Sequence, residues 1–131
     1  MSEFAKQDNI ENEDIKFFLE KNYVRRSLLS NNIPPQLFLK VDSFLSDKDY
    51  EIISKVSLET KIDGIIIGGC VPTDLKESKG GIGGSLIKDQ AMKSLKTVYW
   101  ETKGRIPLVS SGGIMTGEDV YERIEAGATL V

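Results

Sequence analysis

A chain of 131 residues with 40% hydrophobic content has apolar material for one ordinary domain and not for several. Its formal net charge of -3 leaves no basic surface of the kind a nucleic-acid backbone requires, so no nucleic-acid partner is expected. One cysteine and no histidine exclude a disulfide framework and a Cys/His metal centre. No stretch approaches the ~18 apolar residues of a membrane span.

Residues 1–12 are charged and asparagine-rich and read as a disordered lead-in, without the apolar core of a secretory signal. Residues 13–131 then read as one folded unit. Over residues 14–30, Ile15, Phe18, Leu19, Val24, Leu28 and Leu29 fit one face of a helix, which the Asn31–Asn32 pair and Pro34–Pro35 end. Leu37, Phe38, Leu39 and Val41 form a short buried strand interrupted by Lys40, whose plainest reading is a strand-end cation reaching water. Ser46 with Asp49 three residues on predicts a helix start, and Ile52, Ile53 and Val56 give that helix a buried face as far as Thr60.

Residues 63–68, DGIIIG, are the clearest buried parallel strand, since three isoleucines leave no polar alternation to expose. The 18 residues GGCVPTDLKESKGGIGGS that follow read as a long glycine loop. Ala91, Met92, Leu95, Val98 and Tyr99 recur at helical spacing within residues 86–103, with Gly104 as the stop. Cys70 reads as inert packing, and Trp100 as helix-surface or interhelix packing.

Residues 106–131, IPLVSSGGIMTGEDVYERIEAGATLV, carry the sharpest chemistry: a strand, a Gly112–Gly113 turn, a Thr116/Asp119 helix start and a second strand. Val120, Tyr121 and Ile124 mark the apolar face of that helix, and Gly127 its end. Strand, glycine pair and helix start aim free backbone N–H groups and a positive dipole end at one place, which suits a phosphate; a ligand-free tight turn is the plain alternative. Strands alternating with helices predict an α/β fold with parallel crossovers, either an open doubly wound sheet or part of an eight-fold barrel. Asp63, Glu118 and Asp119 read as strand-start and first-turn acids, and no carboxylate pair is placed for general acid and base work.

KIDGIIIGG, ESKGGIGGSLI and GRIPLVSSGGIMTGEDVYERIEAGATLV, in that order and spacing, resemble the last third of the barrel of the dihydroorotate dehydrogenase family, especially its class 2, quinone-type members. LFLKVDSFLSDKD sits where that family has its fifth strand. The resemblance implies a partial (β/α)8 TIM barrel holding about the last four strands with their helices. It implies a mitochondrial inner-membrane flavoprotein that oxidises dihydroorotate to orotate in pyrimidine biosynthesis through FMN, with a quinone as acceptor.

By position, the resemblance puts Lys40 beside the flavin ring and brings the backbones of Gly84 and Gly112 to FMN, while Gly113 keeps the turn open. It assigns no catalytic residue, because the family's base lies on earlier strands and nothing resembling them precedes Ile33. Where the family shows a Thr and an Asn after the DGIII strand, this chain has Gly68 and Gly69; Gly83 and Ser110 are further departures. Two other readings remain: a non-catalytic half-barrel acting as a phosphate-binding or interaction module, and another FMN or sugar-phosphate barrel enzyme. Half a barrel leaves strand edges near Leu37 and Leu130, which predicts self-association.

Overall fold

The computed structural model describes residues 12–29, 33–75 and 78–131; the expected lead-in, except Asn12, lies outside them. The helix α1 (Asn12–Ser27) precedes β1 (Phe38–Val41), α2 (Asp47–Thr60) and β2 (Gly64–Ile67). A β-hairpin, β3 (Val71–Leu75) and β4 (Ser78–Ile82), comes next, then a 3-10 turn at Gly84–Ile87, α3 (Lys88–Thr102), β5 (Leu108–Ser110) and α4 (Gly117–Glu125). The expected last strand is a single parallel bridge, Val109 to Leu130.

β1, β2 and β5 form one parallel sheet in that order, with Leu39 opposite Ile65 and Ile65 opposite Leu108. Parallel neighbours need a crossover, and α2 and α3 supply the two crossovers. Side chains alternate across a strand, so the sheet has two distinct faces. Val41, Ile65, Ile67 and Leu108 pack with Ile53 and Val56 of α2 and Leu95 and Val98 of α3 in one buried cluster. The other face carries Phe38, Lys40, Gly64, Ile66 and Val109, and there Lys40 is exposed and Ile66 and Val109 only half-buried.

The helix starts follow from local chemistry. Ser46 Oγ accepts from the Asp49 N–H at 3.2 Å while Asp49 Oδ2 accepts from the Ser46 N–H at 3.1 Å, and Thr116 and Asp119 repeat this reciprocal cap at α4. Asp63 is more than a strand-start acid. Its carboxylate takes the Leu37 N–H at 2.7 Å and pairs with Arg26, tying α1 and the entry of β1 to the entry of β2.

Four expectations are corrected. The 18-residue glycine stretch holds the β3–β4 hairpin, whose strands pair from Val71 with Ile82 to Leu75 with Ser78. In a two-stranded ribbon both strands are edges, so Pro72 is no obstacle there. Cys70 is exposed, because it leaves the sheet beyond the end of β2 and follows the loop out. Among the described residues of α1 only Leu19 is buried, and just past its end Leu28 is 79% exposed, since α1 packs against α2 by its Leu19 side. On α4 the expected apolar face points outward, with Tyr121 58% and Ile124 45% exposed, because Asp119 and Arg123 take the inward positions.

Candidate functional site

The C-terminal ends of β1, β2 and β5 step side by side, which is where ligands gather on parallel α/β sheets. The Gly68 N–H donates to the Val41 carbonyl at 3.0 Å and the Ser111 N–H to the Ile67 carbonyl at 2.8 Å, so the loops leaving the strands stay in register. Lys40 Nζ bends over this edge and donates to the Gly68 carbonyl at 2.9 Å. Backbone packing demands glycine at 68, and at 69 a side chain would have to displace the Asp42 carboxylate. A Cβ on Gly68 would lie 2.6 Å from the Ser111 carbonyl oxygen, and one on Gly69 would lie 2.6 Å from Asp42 Oδ1. The Asp42 carboxylate therefore fills the place of a side chain at position 69, and its buried Oδ1 has no hydrogen-bond partner.

Gly112 and Gly113 have φ of 91° and 71°, the left-handed region that glycine reaches without cost. The turn they make leans on the start of α3: a Cβ on Gly113 would come within 2.5 Å of the Lys88 Cα, and one on Gly112 within 2.8 Å of Ile87 Cδ1. The N–H groups of Gly112 and Gly113 meet no acceptor among the described residues. Gly84 also has positive φ, 71°, and space for a Cβ stands open beside it and beside Gly83. The structure thus joins Gly112 and Gly113 to the Ile87–Lys88 step that follows Gly84, and reaches Lys40 through Gly68 and Ser111.

Beneath the turn lies a charge cluster that sequence reading overlooked. Arg123 is fully buried; its Nη1 donates to Ser110 Oγ at 3.1 Å, and Nη2 to the carbonyls of Lys88 at 2.9 Å and Gly112 at 3.3 Å. Burial pulls the guanidinium pKa below its ordinary value, with Asp119 and Glu122 opposing that from a distance. Lys88 pairs with Asp119 and, at 3.1 Å, with Glu122. One signal for Arg123 was legible: it stands four residues after Asp119 and seven after the Thr116 cap, on the same helix face.

The Lys88 ammonium first, and the backbone N–H of Met115 next, hold the Asp119 carboxyl well below the usual carboxylate range. A depressed carboxyl contributes stability that is complete above the unfolded value and lost as pH falls through the folded one. The chain is therefore expected to lose stability on acidification below about pH 4. Asp119→Asn should melt lower than wild type at neutral pH, and the gap should narrow on acidification. A gap that stays constant from neutral to acid pH, measured by thermal melts, contradicts this.

The loop after β1 is fixed from below by Tyr50, also missed by pattern reading. Its buried hydroxyl donates to the Asp42 carbonyl at 2.8 Å and lies 3.0 Å from Ser94 Oγ, while Ser94 Oγ donates to the Ser43 carbonyl at 2.7 Å and Gln90 Nε2 reaches the same carbonyl at 2.8 Å. Burial raises the Tyr50 pKa. Tyr50→Phe leaves the Asp42 carbonyl without this donor and is expected to cost about 1 to 2 kcal/mol in urea unfolding. An unchanged midpoint would show that the hydroxyl adds nothing.

The profile of the family described as Dihydroorotate dehydrogenase matches residues 4–131. This chain belongs to the dihydroorotate dehydrogenase family. It is 39% identical over 106 residues to the mitochondrial dihydroorotate dehydrogenase (quinone) of Oryza sativa subsp. japonica, covering 75% of this chain and 23% of that one. It is 39% identical over 104 residues to the dihydroorotate dehydrogenase (quinone) of Azorhizobium caulinodans, 74% of this chain and 29% of that one. The mitochondrial enzyme of Mus musculus is 30% identical over 125 residues, 90% and 32%. The crystal structure of DHODH from Eimeria tenella in complex with ferulenol superposes with a TM-score of 0.69 at 34% identity, covering 75% of this chain and 28% of that one.

The chain spans between about a quarter and a third of the length of these dihydroorotate dehydrogenases. Its fold is accordingly a partial (β/α)8 barrel: a parallel sheet of consecutive strands with helices on one face only. The helix-free face is the one a closed barrel turns inward. Among the described residues no group of three or more His, Cys, Asp or Glu could hold a metal, and no helix is long and apolar enough to cross a membrane.

Proposed function

We propose that this chain is the C-terminal part of an FMN-dependent, quinone-type dihydroorotate dehydrogenase barrel and that it supplies the flavin-holding corner of the oxidation of dihydroorotate to orotate. The observation that carries the reading is the Gly112–Gly113 turn, whose N–H groups meet no acceptor among the described residues and whose Gly112 carbonyl is held by a buried guanidinium. That donor set fits a phosphate monoester. Gly84 adds a backbone approach with open space beside it, and Lys40 brings a cation to the helix-free face.

Bound FMN would supply two-electron redox chemistry. This chain's own residues would do the rest of what it contributes. Gly112, Gly113 and Gly84 would hold the phosphate end by their backbones. Lys40, steered by the Gly68 carbonyl, would set a fixed positive charge at the ring end, where negative charge on a reduced ring is favoured by a nearby cation. No proton-transfer role is assigned to any residue of this chain.

The experiment is direct: mix the purified chain with FMN, measure flavin retention after gel filtration, and assay dihydroorotate-dependent reduction of a quinone or dye. Retained flavin without turnover supports a flavin-holding part that needs the rest of the barrel. Loss of all flavin sinks the reading. The mitochondrial, inner-membrane placement belongs to this proposal, since the rice and mouse relatives are named mitochondrial and the Azorhizobium one is not; fractionation of the source cell tests it.

A narrower second reading rests on the helix-free face. Phe38, Ile66 and Val109 there are half-buried and give the chain apolar surface that a second copy can cover. Sedimentation showing a monomer across the accessible concentration range removes it.

A further inference from the structure

Arg123 is buried in an unusual way. Lys88 takes both nearby carboxylates, Asp119 and Glu122, and no carboxylate lies within ion-pair distance of the Arg123 guanidinium among the described residues. Its partners are neutral: one hydroxyl and two carbonyls, and its buried Nε has none. A fully buried cation without a contacting anion is costly, and Asp119 and Glu122 offset that cost only from a distance.

The three partners explain what the side chain can do. Ser110 is the last residue of β5, Gly112 opens the turn, and Lys88 is the first residue of α3, so the planar fork spans the three segments that shape the turn. By drawing the Gly112 carbonyl inward it turns the Gly113 N–H of the same peptide to the opposite side, and the Gly112 N–H also meets no acceptor among the described residues. We propose that Arg123 is the positioning residue of this turn, fixing its backbone and placing a positive charge beneath it that adds to the attraction for a phosphate group bound at the turn. The inference rests on the FMN reading for the identity of the phosphate carrier, and it does not assign Arg123 a contact with the flavin.

The test uses the full 131-residue chain with inorganic phosphate, FMN and riboflavin as probes, and compares wild type with Arg123→Met and Arg123→Lys. Phosphate is expected to shift the backbone amide resonances of Gly112 and Gly113 in wild type. Arg123→Met should weaken phosphate and FMN by about tenfold, the scale of one charge-assisted interaction, with riboflavin affinity unchanged, and Arg123→Lys should recover part of the loss. A merely structural role would weaken FMN and riboflavin alike, which overturns the proposal.

Equal phosphate affinity in wild type and Arg123→Met, or no phosphate response in wild type, overturns it too. Arg123-dependent phosphate binding without flavin retention upholds the assignment of Arg123 while sinking the FMN reading. Should Arg123→Met fail to fold, Ser110→Ala removes one anchor of the guanidinium and keeps its charge. A measurable weakening of phosphate binding in that variant supports the proposal, and unchanged binding overturns it.

Discussion

Replacing Gly113 with alanine is expected to destabilise this chain by about 3 kcal/mol, a fall in melting temperature of roughly 10 °C for a domain of this size. Two costs add. With φ of 71° the position lies in the left-handed region, where a Cβ costs about 1 to 2 kcal/mol. The new methyl would also lie 2.5 Å from the Lys88 Cα and 2.8 Å from its nitrogen, and a backbone cannot rotate aside as a side chain can. Relief would require the turn to move off the start of α3, which would also displace the backbone donors of the proposed phosphate turn.

Gly83→Ser is the control. Gly83 has φ of -122°, which any residue adopts, and a Cβ there meets nothing within 4 Å, so the change should fall within about 0.5 kcal/mol of wild type. Thermal melts of the two variants that coincide would show that the contact between the glycine turn and α3 is not tight in solution.

What could be read from the sequence was whatever depends on neighbours along the chain. Ser46 with Asp49 and Thr116 with Asp119 announced two helix starts because a cap is closed within four residues. The β1, β2 and β5 positions followed from short apolar runs, and Gly112 and Gly113 from the turn chemistry that only glycine satisfies. What escaped was set by distant partners. Periodicity on α4 gave an apolar face but not its direction, because the inward side is fixed by Arg123 reaching Lys88, thirty-five residues away, and Ser110. Gly68 and Gly69, read as lost polar contacts, are places filled from outside by Ser111 and Asp42. No local pattern carries that.

The three isoleucines of β2 divide in a way their uniform appearance conceals, and the division gives the sharpest measure of whether this chain stands as an open half-barrel. Ile65 is fully buried between Leu39 and Leu108 on the helix-covered face, so Ile65→Ala should cost about 3 to 4 kcal/mol through lost burial and the cavity left behind. Ile66, half-buried on the opposite face beside Lys40 and Val109, should cost only about 1 kcal/mol. The contrast depends on the state of the inner face. Closing the barrel with further strands, or covering the sheet with a second copy, would bury Ile66 and raise its cost toward that of Ile65. Urea unfolding of both variants at several protein concentrations separates the cases: a difference of about 2 kcal/mol that is independent of concentration supports the open sheet. An Ile66 cost equal to that of Ile65 would show that the helix-free face is covered in solution.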